Sequence, residues 1–341
     1  MFLKSSTRVV GPSWRCAHKP LRIYRHIQLH FRSVSTIPEI KPLDIDITAF
    51  KRDFFDAQKP LVLRGSAASF PAIQRWFKDC PEKKTTVLGD AFNPDTVFPY
   101  ELVTTSEGLH QFKEIITNFQ EIHTDVALLP LVDSLKRQVD EEIKSAPERE
   151  QEFLRFQFPL ALLKHVLLNL PPEYTVPNLY IAQADLSEVL NAELLRDIPL
   201  PDLVRESGKG DVYNSSLWMG LEPTFTPWHR DPNHNFFCQL CSSKAVRILP
   251  PNRGKSLFMN TMAKVEPTTS FSTRIRGEEM MQGAQRKALL DAVWGDEAPD
   301  TIRETVLRPS DALFLPKGWW HSLKSGENHG HLNASVNWWF R

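Results

Sequence analysis

The distribution of hydrophobic and polar residues divides the chain at about residue 178. After that point, short apolar runs follow one another between Pro, Gly and Asn turns, which is typical of a series of β-strands. Helical spacing of apolar residues occurs in 70–79, 109–118, 127–144, 158–170 and 276–294. The pattern predicts an α+β fold in which helices flank a β-domain.

Three residues with metal-ligand chemistry lie in two motifs of the β-region. His229 and Asp231 belong to Thr-Pro-Trp-His-Arg-Asp, and His321 ends Gly-Trp-Trp-His. Side chains at positions i and i+2 of a strand project to the same side, so His229 and Asp231 can address one ion. The segment 310–323 is hairpin-like, and an antiparallel barrel can bring it beside the first motif. Two His and one carboxylate cover one face of an Fe(II) ion and leave the opposite face open to small molecules and O2.

The sequence around these ligands resembles the Jumonji C (JmjC) family of 2-oxoglutarate-dependent oxygenases in the cupin superfamily, and especially its small single-domain protein hydroxylases. The likeness rests on TPWHRDPNHNFFCQLCSSKAVRILPP, LFLPKGWWHSLKS and LNASVNWWF, and it covers about 40–341. It implies a double-stranded β-helix (jelly-roll) barrel in 176–341 with an insertion at about 255–305. An N-terminal helical and strand part, 39–175, is expected to pack on that barrel.

The resemblance also implies a set of residues that bind 2-oxoglutarate. They are Lys244, Thr226, Tyr180, Asn235 and Asn337. A dicarboxylate in a partly buried barrel needs a cation and hydroxyl donors around its far end, and a lysine serves there as a compact charge. The chain departs from the family at Ser242–Ser243, where Gly-Lys usually precedes the lysine, and this leaves the shape of that loop open.

Residues facing the substrate are harder to predict. Gln183, Trp218 and the loop 184–200 are expected at the mouth of the barrel. Tryptophans cluster near the motifs, and most are expected in the core. Trp218 and Trp339 are the candidates for a wall of the substrate pocket.

Two further motifs have simpler interpretations. His234 lies close to the ligand motif, but its Pro-Asn-His turn favours a solvated position or one beside the ligands over metal binding. Cys238 and Cys241 form a single CxxC without a second Cys/His pair at zinc spacing. Both cysteines are therefore expected to pack as small apolar residues on a strand.

The resemblance implies an Fe(II)- and 2-oxoglutarate-dependent dioxygenase that hydroxylates a C–H bond, with a protein side chain as the leading substrate. The same centre could instead act on a small molecule or a tRNA base. Two other classes stay open, namely a catalytically silent metal-binding cupin and an enzyme that uses Zn(II) or Mn(II). Histone demethylation is less favoured, because the sequence shows no chromatin-reading module and no zinc cluster.

Composition narrows the range of partners. The 341 residues carry 41 basic and 41 acidic side chains, so no overall field favours nucleic acid or an acidic membrane. The sequence contains no DNA-binding signature and no apolar run of transmembrane length. The expected partner is a protein or small-molecule substrate. The oligomeric state stays open, with a homodimer as one alternative.

Residues 1–38 differ from the rest of the chain. They contain seven Lys/Arg and no Asp or Glu. This composition is typical of a mitochondrial transit peptide, and Phe-Arg-Ser-Val-Ser (31–35) resembles a processing site. The alternative is a disordered basic leader on a cytoplasmic or nuclear protein.

Overall fold

The computed structural model describes residues 36–41, 45–82, 85–145, 152–170, 174, 177–265, 283–326 and 330–341. The strands are β1 Glu39–Ile40, β2 Leu61–Leu63, β3 Phe77–Cys80, β4 Thr85–Leu88, β5 Val97–Thr104, β6 Glu152–Pro159, β7 Asn178–Asp185, β8 Val212–Leu221, β9 Phe225–Arg230, β10 His234–Cys241, β11 Lys244–Leu249, β12 Arg303–Leu307, β13 Ala312–Leu315, β14 Trp320–Ser325 and β15 Leu332–Phe340. The α-helices are α1 Ile47–Phe50, α2 Pro71–Arg75, α3 Ser106–Ile122, α4 Leu129–Ser145, α5 Ala161–Asn169, α6 Leu186–Val189, α7 Ala192–Asp197, α8 Asp202–Ser207, α9 Pro251–Val265 and α10 Gly283–Trp294.

Strands β8 to β15 form two facing sheets of a jelly-roll barrel. One sheet contains β13-β10-β15-β8, and the other has the order β12-β11-β14-β9. All of these pairings are antiparallel. Apolar side chains of both sheets meet between them around Val246, Ile248 and Leu313. The predicted α+β jelly roll is confirmed.

The N-terminal part adds strands to the barrel. Its β2 pairs with β13, and β7, β5 and β6 continue the same sheet beyond β8, giving nine strands in one sheet. Helices α3 to α5 bury residues such as Phe112, Phe119 and Leu163 in the large core on this side. Strand β7, which carries Tyr180, is thereby held against the barrel.

The predicted insertion consists of α9 and α10, which lie between β11 and β12. These helices cover the outer face of the smaller sheet and bury Trp228, Phe258 and Trp320 in a separate core. The rings of Trp228 and Trp320 stack with centroids 6.0 Å apart. Because side chains alternate along a strand, burying these two indoles outside the barrel directs His229 and His321 to its interior.

Several helix predictions are confirmed, and others need correction. The spacings in 109–118 and 127–144 fall in α3 and α4. In 70–79, however, the helix ends at Arg75 and β3 begins at Phe77, where it finds a pairing partner in β4.

Two other elements were mispredicted. The apolar run 158–170 begins inside strand β6 and turns helical only at Ala161. The region after 178 also contains three short helices, α6 to α8, before the barrel starts.

The predicted leader lies largely outside the described residues, which begin at Thr36. Ile37 is buried among the interior residues of the barrel, and Thr36 bridges to Glu304 of β12. Residues 36–38 therefore belong with the folded domain. The transit-peptide interpretation of 1–35 stays a prediction.

Arg64 joins the N-terminal strands to the barrel. Its guanidinium donates to Asp311 Oδ2 at 2.6 Å, to Glu39 Oε2 at 3.0 Å and to the Val306 carbonyl at 2.7 Å. We expect Arg64→Met to lower the free energy of unfolding by about 2 kcal/mol, because the nearly buried Asp311 carboxylate loses its cation. Urea denaturation measures this change.

Arg52→Met is the matched control, because the Arg52–Asp53 pair is exposed to solvent and such pairs contribute little. Equal losses of stability in both variants would contradict a bridging role for Arg64.

Candidate metal centre and co-substrate cavity

The three predicted ligands converge at the end of the smaller sheet. His321 of β14 lies directly opposite His229 of β9 in the strand register, and Asp231 follows β9. The Nε2 atoms of His229 and His321 lie 3.8 and 3.6 Å from the two oxygens of Asp231. One ligand atom from each residue lies within 4.8 Å of the others. These three donors can therefore hold a single ion.

Hydrogen bonds orient both imidazole rings towards that position. Nδ1 of His229 lies 2.8 Å from the Pro227 carbonyl oxygen, and Nδ1 of His321 lies 3.2 Å from the Trp319 carbonyl oxygen. A carbonyl oxygen only accepts, so each Nδ1 carries the proton and each Nε2 presents a lone pair. This tautomer is the one that a metal ligand of this kind requires.

The protonation states also suit a metal. Burial alone would raise the pKa of Asp231, but the neighbouring His321 and His229 rings outweigh it and hold that pKa below its usual range. Burial and the His229 ring lower the pKa of His321 well below its ordinary value. Asp231 is therefore a carboxylate and His321 a neutral imidazole at neutral pH. One carboxylate and two imidazole nitrogens are a donor set that fits Fe(II) and also Mn(II) or Zn(II).

The turn before His321 ties the two ligand segments together. Gly318 adopts a φ of 78°, a left-handed conformation that glycine tolerates best. Its N–H donates to the Asp231 carbonyl oxygen at 2.9 Å. The backbone thus fixes the spacing between Asp231 and the strand that carries His321.

A chain of amide hydrogen bonds ends on the metal-binding carboxylate. Trp218 Nε1 donates to Asn337 Oδ1 at 2.7 Å, Asn337 Nδ2 to Asn235 Oδ1 at 3.2 Å, and Asn235 Nδ2 to Asp231 Oδ2 at 2.9 Å. Asn235 and Asn337 were predicted as co-substrate ligands, and both line the cavity. Their visible contacts show a further role, which is to orient Asp231.

This arrangement gives a testable expectation for Asn235. We expect Asn235→Ala to weaken metal binding by about 10- to 100-fold, as is usual when a partner that orients a ligand is lost. Calorimetric titration with Mn(II) measures the effect. Unchanged metal affinity with weaker 2-oxoglutarate binding would instead assign Asn235 to the co-substrate alone.

Lys244 supplies a buried amine in the same cavity. It is 3 % exposed, and its Nζ donates to Ser335 Oγ at 2.9 Å and to the Tyr180 hydroxyl at 3.2 Å. No carboxylate of the described residues lies within ion-pair distance of it. Burial lowers the pKa of Lys244 to about 7. An entering carboxylate would favour the charged amine and pair with it.

Two neighbours complete the surroundings of this amine. Thr226 lines the cavity as predicted, although no hydrogen bond of its hydroxyl is evident. Tyr180 lies against Gly220 of β8, where an added Cβ would come within 2.6 Å of the tyrosine ring. A glycine at position 220 is therefore what allows Tyr180 to approach the barrel and reach Lys244.

The cavity has a volume of about 250 Å³ and is lined by the triad, by Lys244 and by Gln183 and Trp218, two of the residues predicted at the mouth. Gln183 lines it from a bulge of β7, with a φ of 53° and a register shift between Ile181 and Ala184. Bulges re-aim side chains in this way beside functional sites. Trp218 and Trp339 also line the cavity.

The prediction that 184–200 forms a loop is wrong. This segment forms the end of β7 followed by α6 and α7, and none of its residues lines the cavity. Asp185 and Asn191 each accept hydrogen bonds from backbone N–H groups at the start of these helices. These caps stabilise helices where a loop was expected.

Sequence reasoning missed Glu101 and Arg155, which also line the cavity. Glu101 of β5 pairs in register with Tyr180 and with Arg155 of β6. Its carboxylate is 7 % exposed and accepts from Arg155 Nη2 at 2.6 Å. Burial raises the pKa of Glu101 despite the guanidinium. The alternation Phe98, Tyr100, Leu102 was the available signal, because it places Glu101 on the opposite face of a strand.

The remaining candidates do not join the site. Of the two positions expected for His234, solvated or beside the ligands, the solvated one is wrong, since His234 starts β10 and is buried against the rings of Phe55, Phe314 and Phe340. Cys238 and Cys241 are buried on β10 with free thiols, as predicted.

Comparison with known proteins agrees with this architecture. A family model described as a cupin-like domain matches residues 47–341. The chain is 28% identical to lysine-specific demethylase 8 of Danio rerio over 162 residues, covering 47% of this chain and 36% of that protein. It is 27% identical to lysine-specific demethylase JMJ30 of Arabidopsis thaliana over 165 residues, covering 47% and 33%. It is 28% identical to Jumonji C domain-containing protein 5 of Drosophila melanogaster over 150 residues, covering 43% and 33%.

The matched segments span about a third of the length of these relatives. Among the described residues, none of the helices combines the length and the apolar composition needed to cross a bilayer. The family match covers the whole barrel and all of the ligand motifs. The chain therefore belongs to the cupin-like family of JmjC-domain proteins.

Proposed function

We propose that this protein is an Fe(II)- and 2-oxoglutarate-dependent dioxygenase that hydroxylates a C–H bond, with a protein side chain as substrate. One observation carries the proposal, which is that a His-Asp-His triad shares one cavity with a buried amine that has no carboxylate within ion-pair distance among the described residues. The amine suits the distal carboxylate of 2-oxoglutarate, and the triad suits the metal that the keto-acid end would reach.

The overall reaction converts substrate, 2-oxoglutarate and O2 into hydroxylated substrate, succinate and CO2. The metal, when bound with 2-oxoglutarate, supplies the activation of O2 that this reaction needs. His229, Asp231 and His321 would hold the metal on one face, while Asn235 orients the carboxylate. Lys244 and Tyr180 would bind and orient the co-substrate, and the closed interior of the barrel excludes water.

The mouth of the cavity supports a polypeptide side chain as substrate. Tyr213 is 65 % exposed there, and Gln183, Asn214 and Arg155 provide polar groups around it. A cavity of about 250 Å³ lies at the low end for ligand pockets. This volume suits a small dicarboxylate and one side chain better than it suits a tRNA base with its backbone or a large metabolite.

A second outcome of the same chemistry is removal of an N-methyl group. Two of the similar proteins are named lysine-specific demethylases, and the buried Glu101 would suit a cationic side chain. Hydroxylation of an N-methyl carbon releases that carbon as formaldehyde. Intact-mass analysis of captured substrates separates the two outcomes, since hydroxylation adds an oxygen atom whereas demethylation removes a methyl group.

The activity itself is tested by succinate formation from purified protein with Fe(II), 2-oxoglutarate and O2. We expect succinate in the presence of extracts or peptides that contain substrate, and none without O2. Metal binding without 2-oxoglutarate binding would favour a Zn(II) or Mn(II) cupin. Binding of both without turnover on any candidate substrate would favour a silent cupin.

We also propose that residues 1–35 direct the protein to mitochondria. Their excess of basic residues and lack of acidic ones support this assignment. Fluorescence microscopy of tagged full-length and leader-deleted proteins tests it. Mitochondrial entry of the leader-deleted form would overturn the assignment.

A further inference from the structure

A further buried carboxylate, that of Glu222, lies at the end of the barrel away from the metal ligands. It follows β8 and is 1 % exposed. Its Oε1 accepts from Ser242 Oγ at 2.6 Å and from Asn333 Nδ2 at 2.9 Å, whereas its Oε2 has no hydrogen-bond partner among the described residues. No Lys or Arg of those residues lies within ion-pair distance. A buried charge left in this way is costly unless an opposite charge is near.

Strand β15 relates this carboxylate to the co-substrate cavity. Asn333, Ser335 and Asn337 alternate along the strand and therefore share its inner side. Asn333 binds Glu222, Ser335 binds the Lys244 amine, and Asn337 contacts the asparagine that orients the metal-binding carboxylate. Positions i and i+2 of a strand lie about 7 Å apart. Glu222 therefore lies about two residues of β15 farther from the metal ligands than the Lys244 amine does.

The turn that carries Lys244 is built on the same carboxylate. Ser242 has a φ of 56°, a left-handed conformation that is strained for a residue other than glycine. Its hydroxyl donates to Glu222, and Asn333 Nδ2 donates to the Ser243 carbonyl oxygen at 2.9 Å as well as to Glu222. Ser242–Ser243 is the point at which the chain departs from the usual Gly-Lys. The hydrogen bonds to Glu222 and Asn333 compensate for that departure.

We propose that Glu222 is the buried counter-charge of Lys244, which favours the charged form of the amine and positions it for the distal carboxylate of 2-oxoglutarate. This inference rests on the function proposed above. Lys244 and Glu222 are both buried, and neither has a contact ion pair in the described residues. Opposite charges separated by about two residues of a strand in a low-dielectric interior stabilise each other. Consistent with this, Glu222 opposes the lowering of the Lys244 pKa by burial.

Other charged or titratable groups lie on the elements around Lys244. They are Tyr180 on β7, Glu101 on β5, Arg155 on β6, Cys241 on β10, Lys324 on β14, Glu304 on β12, and Arg230 and the metal triad at the far end of the cavity. Burial raises the pKa of Tyr180 and of Cys241, so neither supplies a negative charge at neutral pH. Glu222 is the one whose charge raises the pKa of Lys244.

Glu222→Gln tests the counter-charge, because it keeps the shape and removes the charge. Calorimetry with the Mn(II)-loaded protein gives the dissociation constant of 2-oxoglutarate at several pH values. Removal of a nearby opposite charge in a buried site shifts a pKa by about one unit or more. We expect binding close to that of the wild type near about pH 6 and about tenfold weaker binding near about pH 8, where the variant amine has lost its proton.

A second readout needs neither metal nor activity. The Cε resonance of Lys244, in metal-free protein with isotope-labelled lysine, reports protonation of the amine directly, and its absence from Lys244→Met assigns it. We expect the midpoint of its titration to move to lower pH in Glu222→Gln. Ser242→Gly is the matched control, because it removes the Ser242 hydrogen bond to Glu222 but keeps both charges, and its midpoint should equal that of the wild type.

The outcomes separate this inference from the proposed function. A wild-type protein that never binds 2-oxoglutarate would refute the function, and the resonance would still test the charge pairing. A pH-independent loss of affinity in Glu222→Gln, with an unmoved midpoint, would assign Glu222 to the turn alone and overturn the inference. If Glu222→Gln does not fold, Lys244→Met/Glu222→Gln should fold, because it removes both charges together. Failure of both variants would likewise overturn the pairing.

Discussion

Replacing Asp231 by alanine is expected to abolish 2-oxoglutarate turnover and to weaken metal binding by at least about a hundredfold. The carboxylate is the only anion of the triad, and each imidazole Nε2 lies within 4 Å of one of its oxygens. Two neutral imidazoles alone do not offset the charge of a divalent ion. Thermal unfolding with and without Mn(II) measures the effect, since a ligand that binds only the folded state raises the melting temperature.

Asp133→Ala is the control for Asp231→Ala, because Asp133 is an exposed carboxylate on α4, away from the cavity. This variant should keep the full stabilisation by Mn(II). A metal-dependent rise in melting temperature that survives in Asp231→Ala would place the metal elsewhere and contradict the assignment of the triad.

Replacing Lys244 by methionine is expected to weaken 2-oxoglutarate binding by roughly a hundredfold or more, with metal affinity retained. Truncating one partner of a buried charged contact typically costs about 2–5 kcal/mol. Methionine fills most of the space of the lysine stem, so the loss reports on the charge rather than on a cavity. Titration of the Mn(II)-loaded variant with 2-oxoglutarate measures it.

Lys324→Met is the control for Lys244→Met. Lys324 lies opposite Ala245 in the neighbouring strand register and is not a cavity residue. Its loss should leave 2-oxoglutarate affinity unchanged. An unchanged affinity in Lys244→Met would remove the co-substrate from this end of the barrel and with it the main support for an oxygenase.

The residues closest to the chemistry could be predicted because they depend on local rules. Alternation along a strand placed His229 and Asp231 on one side, and the resemblance extended the set to Lys244 and Tyr180. The cross-strand pairing of His321 with His229 is a matter of register. Register follows from the complete barrel and not from either motif.

The residues that were missed come from strands remote in sequence. Glu101 reaches the cavity only because β5 pairs with β7, and Glu222 gains its significance from Asn333 on β15. The hydrophobic periodicity around Glu101 and around Glu222 does not indicate which strands these residues will meet. The sequence pattern did not predict helices α6 and α7 for a different reason. Each is shorter than two turns and depends on its N-terminal cap rather than on an apolar stripe.

The most direct test of the central claim is a crystal structure of the protein grown with Mn(II) and 2-oxoglutarate. The account predicts one metal ion bound by Nε2 of His229, Nε2 of His321 and a carboxylate oxygen of Asp231. It also predicts the distal carboxylate of 2-oxoglutarate on the Lys244 amine and the Tyr180 hydroxyl. A metal at any other position, or a co-substrate whose carboxylate does not reach Lys244, would contradict it.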